Sequence, residues 1–260
     1  MTDEGKVPLY DSFSVEYDAM VSWPGRIQRE APMLEASLCK VQAKRVLDVG
    51  SGTGWHAMHL ARQGFDVVGA DPSLEMVRRA EANAKGISGV RFVQAGLGGL
   101  RQAVGDGFDG VLCLGNTLPH ILTQDGLLQS LQDMAAVLRP GGVLVLQQLN
   151  YDRILVQGQR FLGLTPGRLD GKEYLFFRFY DYRDRLLIFN VVIMERQVDG
   201  SWTHRVESTQ LQAIISSQLR ETLAVAGFAR QDVYGSYERE PFNPLSASDL
   251  IVVAQRSADG

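Results

Sequence analysis

The chain has 260 residues, of which 45% are hydrophobic and 22% charged, with a net charge of -4; this suits one large α/β domain with an insertion and a core that needs no disulfide or metal staples. The mild acidity argues against a dedicated nucleic-acid binder, which needs a basic surface to neutralise phosphates, and no stretch approaches the ~20 apolar residues of a spanning helix. The first residues, MTDEGKVPLY, lack a basic and an apolar signal region, and Cys39 and Cys113 match no metal spacing, so a cytoplasmic protein with reduced packing cysteines and no membrane attachment is expected.

Residues 1–44 contain no strand pattern and read as one or two helices forming a lid. From 45 to 150, short apolar runs alternate with helical patterns. RVLDVG (45–50) reads as a strand, WHAMHLARQG (55–64) as a helix, DVVGA (66–70) as a strand, and SLEMVRRAEANAKG (73–86) as a helix with Ser73 as its N-cap. VRFVQ (90–94) and FDGVLCL (108–114) follow as strands. GLLQSLQDMAAVL (126–138) reads as a helix stopped by RPGG (139–142), and VLVLQQL (143–149) as the fifth strand. This rhythm implies a doubly wound, Rossmann-like and mostly parallel sheet. The near-continuous apolar strands fit a sheet covered on both faces.

After Asn150 the pattern changes. Segments 173–182, 185–197 and 202–212 are rich in aromatic and β-branched residues, and VDGSW (198–202) looks like a hairpin turn. An antiparallel insertion over 151–212 on the substrate side is expected. The α/β core is then completed over 213–260 by a helix (216–228) and two strands (230–237 and 248–255).

The chemistry centres on VLDVGSGTG (46–54), where a strand ends, Gly50, Gly52 and Gly54 follow at alternate positions, and a helix begins. Such glycines let the chain turn tightly and let a ligand approach the main chain at the carboxyl end of the sheet. A nicotinamide fingerprint, G-x-G-x-x-G, would need a third glycine at position 55, where Trp55 stands. Asp71 closes the second strand, and a carboxylate there can accept both hydroxyls of a ribose.

The pattern D-x-G-x-G-x-G, with Asp48 two residues before Gly50, resembles motif I of class I S-adenosylmethionine-dependent methyltransferases. Within that superfamily the chain looks most like small-molecule methyltransferases of the glycine/sarcosine N-methyltransferase type, through CLGNTLPH (113–120), RPGG (139–142) and NYDRIL (150–155). The resemblance implies S-adenosylmethionine as donor and S-adenosylhomocysteine as product. It implies that Gly50, Gly52 and Gly54 shape the pocket, Asp48 orients the loop or meets the methionyl amine, Asp71 holds the ribose and Met76 packs on the adenine. Leu114 would approach the donor, with Gly115 beside it, while Tyr17 and Arg26 would cap the site from the lid, Arg26 facing the donor's carboxylate. Gly96 stands where many relatives carry an acid for the adenine amine, so the backbone around Gly96 and Leu97 is expected to read the adenine edge.

Acceptor-side candidates lie in the loops after the fourth and fifth strands. His120 is the candidate base, Asn116 the candidate for orienting the acceptor, and Tyr151 a candidate contact. LGNT in place of an acid or Asn followed by Pro-Pro and an aromatic argues against a DNA base as acceptor. A small molecule methylated on N or O is expected. A non-catalytic donor-binding protein and a tRNA or protein methyltransferase are the alternatives, and a lid shared across a homodimer is conceivable. The insertion's aromatics (Tyr174, Phe176, Phe177, Phe179, Tyr180, Tyr182) read as core or as an acceptor cage, and Arg178 and Arg183 as partners for an anionic acceptor. His56 and His59 have no third ligand in register, so no metal is expected.

Overall fold

The computed structural model describes residues 8–183 and 186–257. Two helices, α1 (Pro8–Met20) and α2 (Trp23–Lys40), precede the first strand, in line with the helices expected there; residues 1–7 of that stretch lie outside the described residues. The core then runs β1 (Arg45–Val49), α3 (Trp55–Arg62), β2 (Asp66–Asp71), α4 (Leu74–Asn83), β3 (Val90–Gln94), α5 (Leu100–Val104), β4 (Phe108–Cys113), α6 (Gln124–Val137) and β5 (Leu138–Leu149). Next come α7 (Tyr151–Gln157) and four strands, β6 (Phe161–Leu169), β7 (Lys172–Arg183), β8 (Leu186–Arg196) and β9 (Trp202–Gln212). The chain finishes with α8 (Ser216–Val225), β10 (Arg230–Tyr234) and β11 (Asp249–Gln255).

Seven strands form one sheet in the order β10-β11-β5-β4-β1-β2-β3. Strands β1 to β5 are parallel, and β11 is antiparallel to both β5 and β10. Alternate side chains of each central strand enter opposite layers. Leu47, Val68, Val111 and Leu144 pack under α5, α6 and α8, whereas Val46, Val67, Leu112 and Val145 pack under α2, α3 and α4. Each such buried side chain contributes ~1.5–3 kcal/mol, so a run apolar at every position is what this sheet requires. Between β1 and β4 the strand order reverses direction, which opens a crevice at the carboxyl ends.

The remaining strands form a second, antiparallel sheet, β6-β7-β8-β9. Its inner face packs on α1 through Phe13, Tyr174, Phe176, Val191 and Ile193, and on α7 through Tyr151, Ile154, Tyr180, Leu187 and Leu211. Its outer face carries Phe161, Leu164, Phe177, Phe179 and Val206, with Phe161 stacked on Phe177.

One local expectation needs correction, and two elements carried no expectation from the sequence. RPGG does not precede the fifth strand but lies inside it: β5 begins at Leu138, and the register with β4 shifts between Phe108 and Gly110. Pro140 and the left-handed Gly141 (φ 73°) make an irregularity that a strand can absorb. The fourth insertion strand, β6, carries Gly163, Pro166 and Gly167, residues that read as a turn; it lies at the edge of its sheet, where a missing N–H costs no ladder bond. The helix α7 was also illegible as a separate element, because its seven residues are too short for a periodic pattern.

Candidate active site at the sheet's carboxyl edge

The glycine loop leaves β1 through left-handed backbone. Gly50 has φ 68° and Gly54 φ 85°. A Cβ on Gly50 would lie 2.5 Å from the Thr117 side chain, and one on Gly54 2.6 Å from the Phe92 ring. Both positions therefore exclude side chains for conformational and steric reasons. Asp71 ties this loop to β2: its Oδ2 accepts from Gly52 N at 2.8 Å and its Oδ1 from Ser73 N at 2.9 Å. Burial nonetheless pushes the Asp71 carboxyl up to about 6. Asp48, at the end of β1, is buried with its Oδ2 lacking any hydrogen-bond partner. Burial, and then the charge of Asp71, push its carboxyl up to about 7. A buried carboxylate oxygen without a partner is costly unless a cationic or donating group meets it.

Helices α1 and α2 close over this edge. Ser73 Oγ donates to Asp11 Oδ1 at 2.5 Å, while Ser73 also caps α4 through Met76 N. Thr53 Oγ1 donates to Asp18 Oδ1 at 2.6 Å. Arg26, one turn into α2, is held on three sides. Its Nε donates to Glu30 Oε1 at 2.9 Å, it lies over the Trp23 ring at 5.1 Å, and it bonds the Tyr17 hydroxyl. An Nη2 lies 3.2 Å from where a Cβ on Gly115 would stand. Glu30 is 2% exposed and also meets His56 Nε2 at 2.8 Å. Burial opposes its charge, but His56 and Arg26 outweigh that and hold its carboxyl down at about 2.

A cavity of about 650 Å³ extends from Arg26 and Tyr17, past Gly115, Asn116 and His120, to the inner face of the second sheet at Arg178 and Tyr180. At its centre Asn116 adopts left-handed backbone, φ 66°, a conformation asparagine tolerates better than most residues. Its Oδ1 accepts from Leu149 N at 3.1 Å, and its Nδ2 donates to the Tyr151 hydroxyl at 2.9 Å. Gly115 N donates to Gln147 Oε1 at 2.8 Å, and Gln147 Nε2 donates to Asp249 Oδ1 at 2.6 Å. His120 Nε2 meets the Tyr10 hydroxyl at 3.1 Å. Burial pushes the imidazole down to about 4, so it is neutral at pH 7.

Of the candidates from sequence, Tyr17, Arg26, Asn116 and His120 line this one cavity. Tyr151 does not: it is fully buried beneath Asn116, with Tyr180 within hydrogen-bond reach of its hydroxyl. His120 closes a short 3-10 turn, Leu118–His120. Asp48, Gly50, Gly52, Gly54 and Asp71 gather at the carboxyl ends of β1 and β2 under α1, with Met76 buried at the start of α4. Leu114 is buried, and its carbonyl accepts from Thr117 Oγ1. Gly96 and Leu97 follow β3, away from the cavity wall, and Arg183 is exposed at the end of β7. His56 and His59 pair with Glu30 and Glu35 of α2.

Sequence reading missed Tyr10, Glu30 and Gln147. Gln147 left one signal, a polar residue in the apolar run VLVLQQL. Tyr10 left none, because its partner His120 stands 110 positions away; Glu30 left only an i,i+4 pairing with Arg26, which looks like an ordinary surface pair until His56 joins it in the fold.

Residues 46–142 match the family described as Methyltransferase domain. The chain is 35% identical over 158 residues to a glycine/sarcosine N-methyltransferase of Halorhodospira halochloris, a match covering 60% of this chain and 59% of that protein. The chain thus spans about three fifths of the curated relative's length. Among solved structures, the CcbJ methyltransferase of Streptomyces caelestis is 25% identical, with a TM-score of 0.75 over 98% of this chain and all (100%) of that one. An S-adenosylmethionine-dependent methyltransferase of Clostridium acetobutylicum shares the fold at 16% identity, with a TM-score of 0.75 over 95% of this chain and 99% of that one. The matched segment, the strand order and the glycine loop agree: the chain carries a methyltransferase domain on the fold of the class I S-adenosylmethionine-dependent methyltransferases.

Proposed function

We propose that this protein is an S-adenosylmethionine-dependent methyltransferase acting on a nitrogen of a small molecule. The observation that carries the reading is the continuous cavity with Arg26 and Tyr17 at one end and Asn116 and His120 beyond Gly115. When bound, S-adenosylmethionine supplies a methyl group already activated on a sulfonium.

The donor end suits that molecule's charges. Arg26, fixed by Glu30 and Trp23, offers its guanidinium to the carboxylate. The partnerless Asp48 Oδ2 is the receptor for the ammonium. Asp71, whose two oxygens already brace the loop, presents its remaining lone pairs to the ribose. Gly50, Gly52 and Gly54 leave the main chain bare for close approach, Leu114 and Met76 supply apolar contact, and the backbone at Gly96 and Leu97 reads the adenine edge.

Nitrogen is favoured over oxygen by the weakness of the base. An alcohol or phenol must lose its proton as it attacks, which calls for a strong general base. His120 is held near 4 and already faces the Tyr10 hydroxyl, so it can accept a hydrogen bond from an amine but is a poor base for an alcohol. Asn116, anchored by Leu149 N and Tyr151, orients the acceptor, and the cavity's main contribution is alignment and exclusion of water. The amine specificity in the name of the Halorhodospira halochloris relative supports the same choice.

We infer the division suggested by the pattern: a lid over 1–44, a donor-binding core over 45–150, a substrate-side insertion over 151–212 and completion of the core over 213–260. We also infer a cytoplasmic homodimer joined through the second sheet's outer face. The two free cysteines suit a reducing compartment, and no helix among the described residues is long and apolar enough to cross a membrane. The apolar centre of that face, rimmed by the Arg160–Asp181 and Arg196–Glu173 ion pairs, has the anatomy of an interface.

The test is calorimetry with S-adenosylhomocysteine, followed by transfer of labelled methyl to a panel of small amines and matched alcohols. Micromolar product binding and label on amines alone support the reading. No binding removes the methyltransferase function, and label on alcohols alone removes the choice of nitrogen.

A further inference from the structure

Along β7 the inner-face positions are Tyr174, Phe176, Arg178 and Tyr180. Three are buried aromatics; the third in order is a cation. Arg178 lines the cavity at the end opposite the donor side. Its Nη2 donates to Thr165 Oγ1 at 3.2 Å, a neutral partner. Its Nε is buried without any partner. No carboxylate among the described residues pairs with it, and burial lowers its affinity for its proton.

The other charges on the cavity wall are spoken for. Arg26 and Arg29 both meet Glu30, and Glu30 also meets His56. Asp249 accepts from Gln147 Nε2 and Ser248 Oγ. Among the described residues, Arg178 is therefore the one charged side chain of the wall with a buried polar atom left without a partner. A guanidinium held in an aromatic wall with an open N–H edge is costly unless an anion meets it, and its planar fork matches the oxygens of a carboxylate or phosphate.

We propose that Arg178 seats an oxyanion carried by the acceptor, so that the substrate is an amine bearing a carboxylate or phosphate group. The oxyanion docks on β7 while the nitrogen lies at Asn116 and His120. This rests on the methyltransferase reading for the identity of the nitrogen, but the oxyanion seat is testable separately.

The experiment titrates the protein saturated with S-adenosylhomocysteine with benzoate, phenylphosphonate and neutral benzamide, observed by ligand NMR. Saturation keeps the probes from Arg26. Either anion is expected to bind about tenfold or more tightly than benzamide, and the tighter anion identifies the source of the oxyanion. Arg178→Met is expected to abolish that preference with S-adenosylhomocysteine affinity unchanged, and Arg178→Lys to retain part of it. Anion and amide binding alike, or neither binding, overturns the proposal. So does a preference that survives Arg178→Met, or an Arg178→Met variant that loses S-adenosylhomocysteine affinity as well. If the wild type does not bind S-adenosylhomocysteine, the methyltransferase reading falls, and the same titration in an Arg26→Met background still decides whether Arg178 seats an anion.

Discussion

The two sheets of this molecule solve the same burial problem differently. The seven-stranded sheet is covered on both faces, and at its functional edge Asp71 braces the glycine loop and Glu30 gathers Arg26, Arg29 and His56, while Asp48 keeps one buried oxygen without a partner among the described residues. The four-stranded sheet is covered on one face only, leaves Phe161 and Leu164 more than half exposed on the other, and holds Arg178 without a carboxylate partner among the described residues. The first is largely satisfied by its own chain, whereas the second leaves an arginine on its inner face and an apolar outer face, which the proposals above assign to an acceptor and a second copy. A common donor needs a fixed site, and a variable acceptor needs a wall whose chemistry can differ. The division of labour follows from which sheet is internally satisfied.

Substitutions on the two faces of β7 break this comparison most directly. Phe176 is 0% exposed, between Phe13 and Tyr174; Phe176→Ala is expected to cost ~3–5 kcal/mol, read as a lower urea midpoint with the same slope. On the donor side, Arg26→Met removes a charge-assisted contact and is expected to weaken S-adenosylhomocysteine by ~1.5–3 kcal/mol, measured by calorimetry.

The donor site also carries a pH dependence that the acceptor sheet lacks. Burial pushes the Asp48 carboxyl up to about 7, so the carboxylate proposed to receive the ammonium is roughly one tenth ionised at pH 6 and nine tenths at pH 8. S-adenosylhomocysteine affinity is expected to rise by up to about tenfold across that window, and to be flatter in Asp48→Asn. The sign for stability is opposite. Because the folded pKa lies above the ordinary 3.8, the folded chain keeps a proton that the unfolded chain has released. Unliganded wild type therefore loses stability relative to Asp48→Asn as pH rises from the ordinary 3.8 to about 7 and levels off above that, which thermal melts across pH will read.

The smallest effect sharpens the contrast. Phe177 sits on the outer face, stacked with Phe161; Phe177→Ser is expected to change monomer stability by less than about 1 kcal/mol while shifting the mass seen by light scattering from dimer to monomer. An unchanged mass would remove the outer face as the dimer interface.

What the sequence determined by itself was local. Apolar runs at strand length, a three-glycine loop between strand and helix, Ser73 as a cap and Asp71 at a strand end all rest on neighbours a few residues apart, and each stands where the pattern implied. The cavity was decided by tertiary structure. Tyr10 meets His120 across 110 positions, Asn116 meets Tyr151 across 35, and Glu30 meets His56 across 26. The edge strand β6 took its conformation from β7 despite its own turn-forming residues. Above all, whether an arginine is paired depends on every element that packs around it. The sequence offered Arg178 and Arg183 as equals; the packing of β7 against α1 put one in the cavity wall and the other in solvent, because alternation along a strand fixes which face a side chain takes, and only the fold fixes what that face meets.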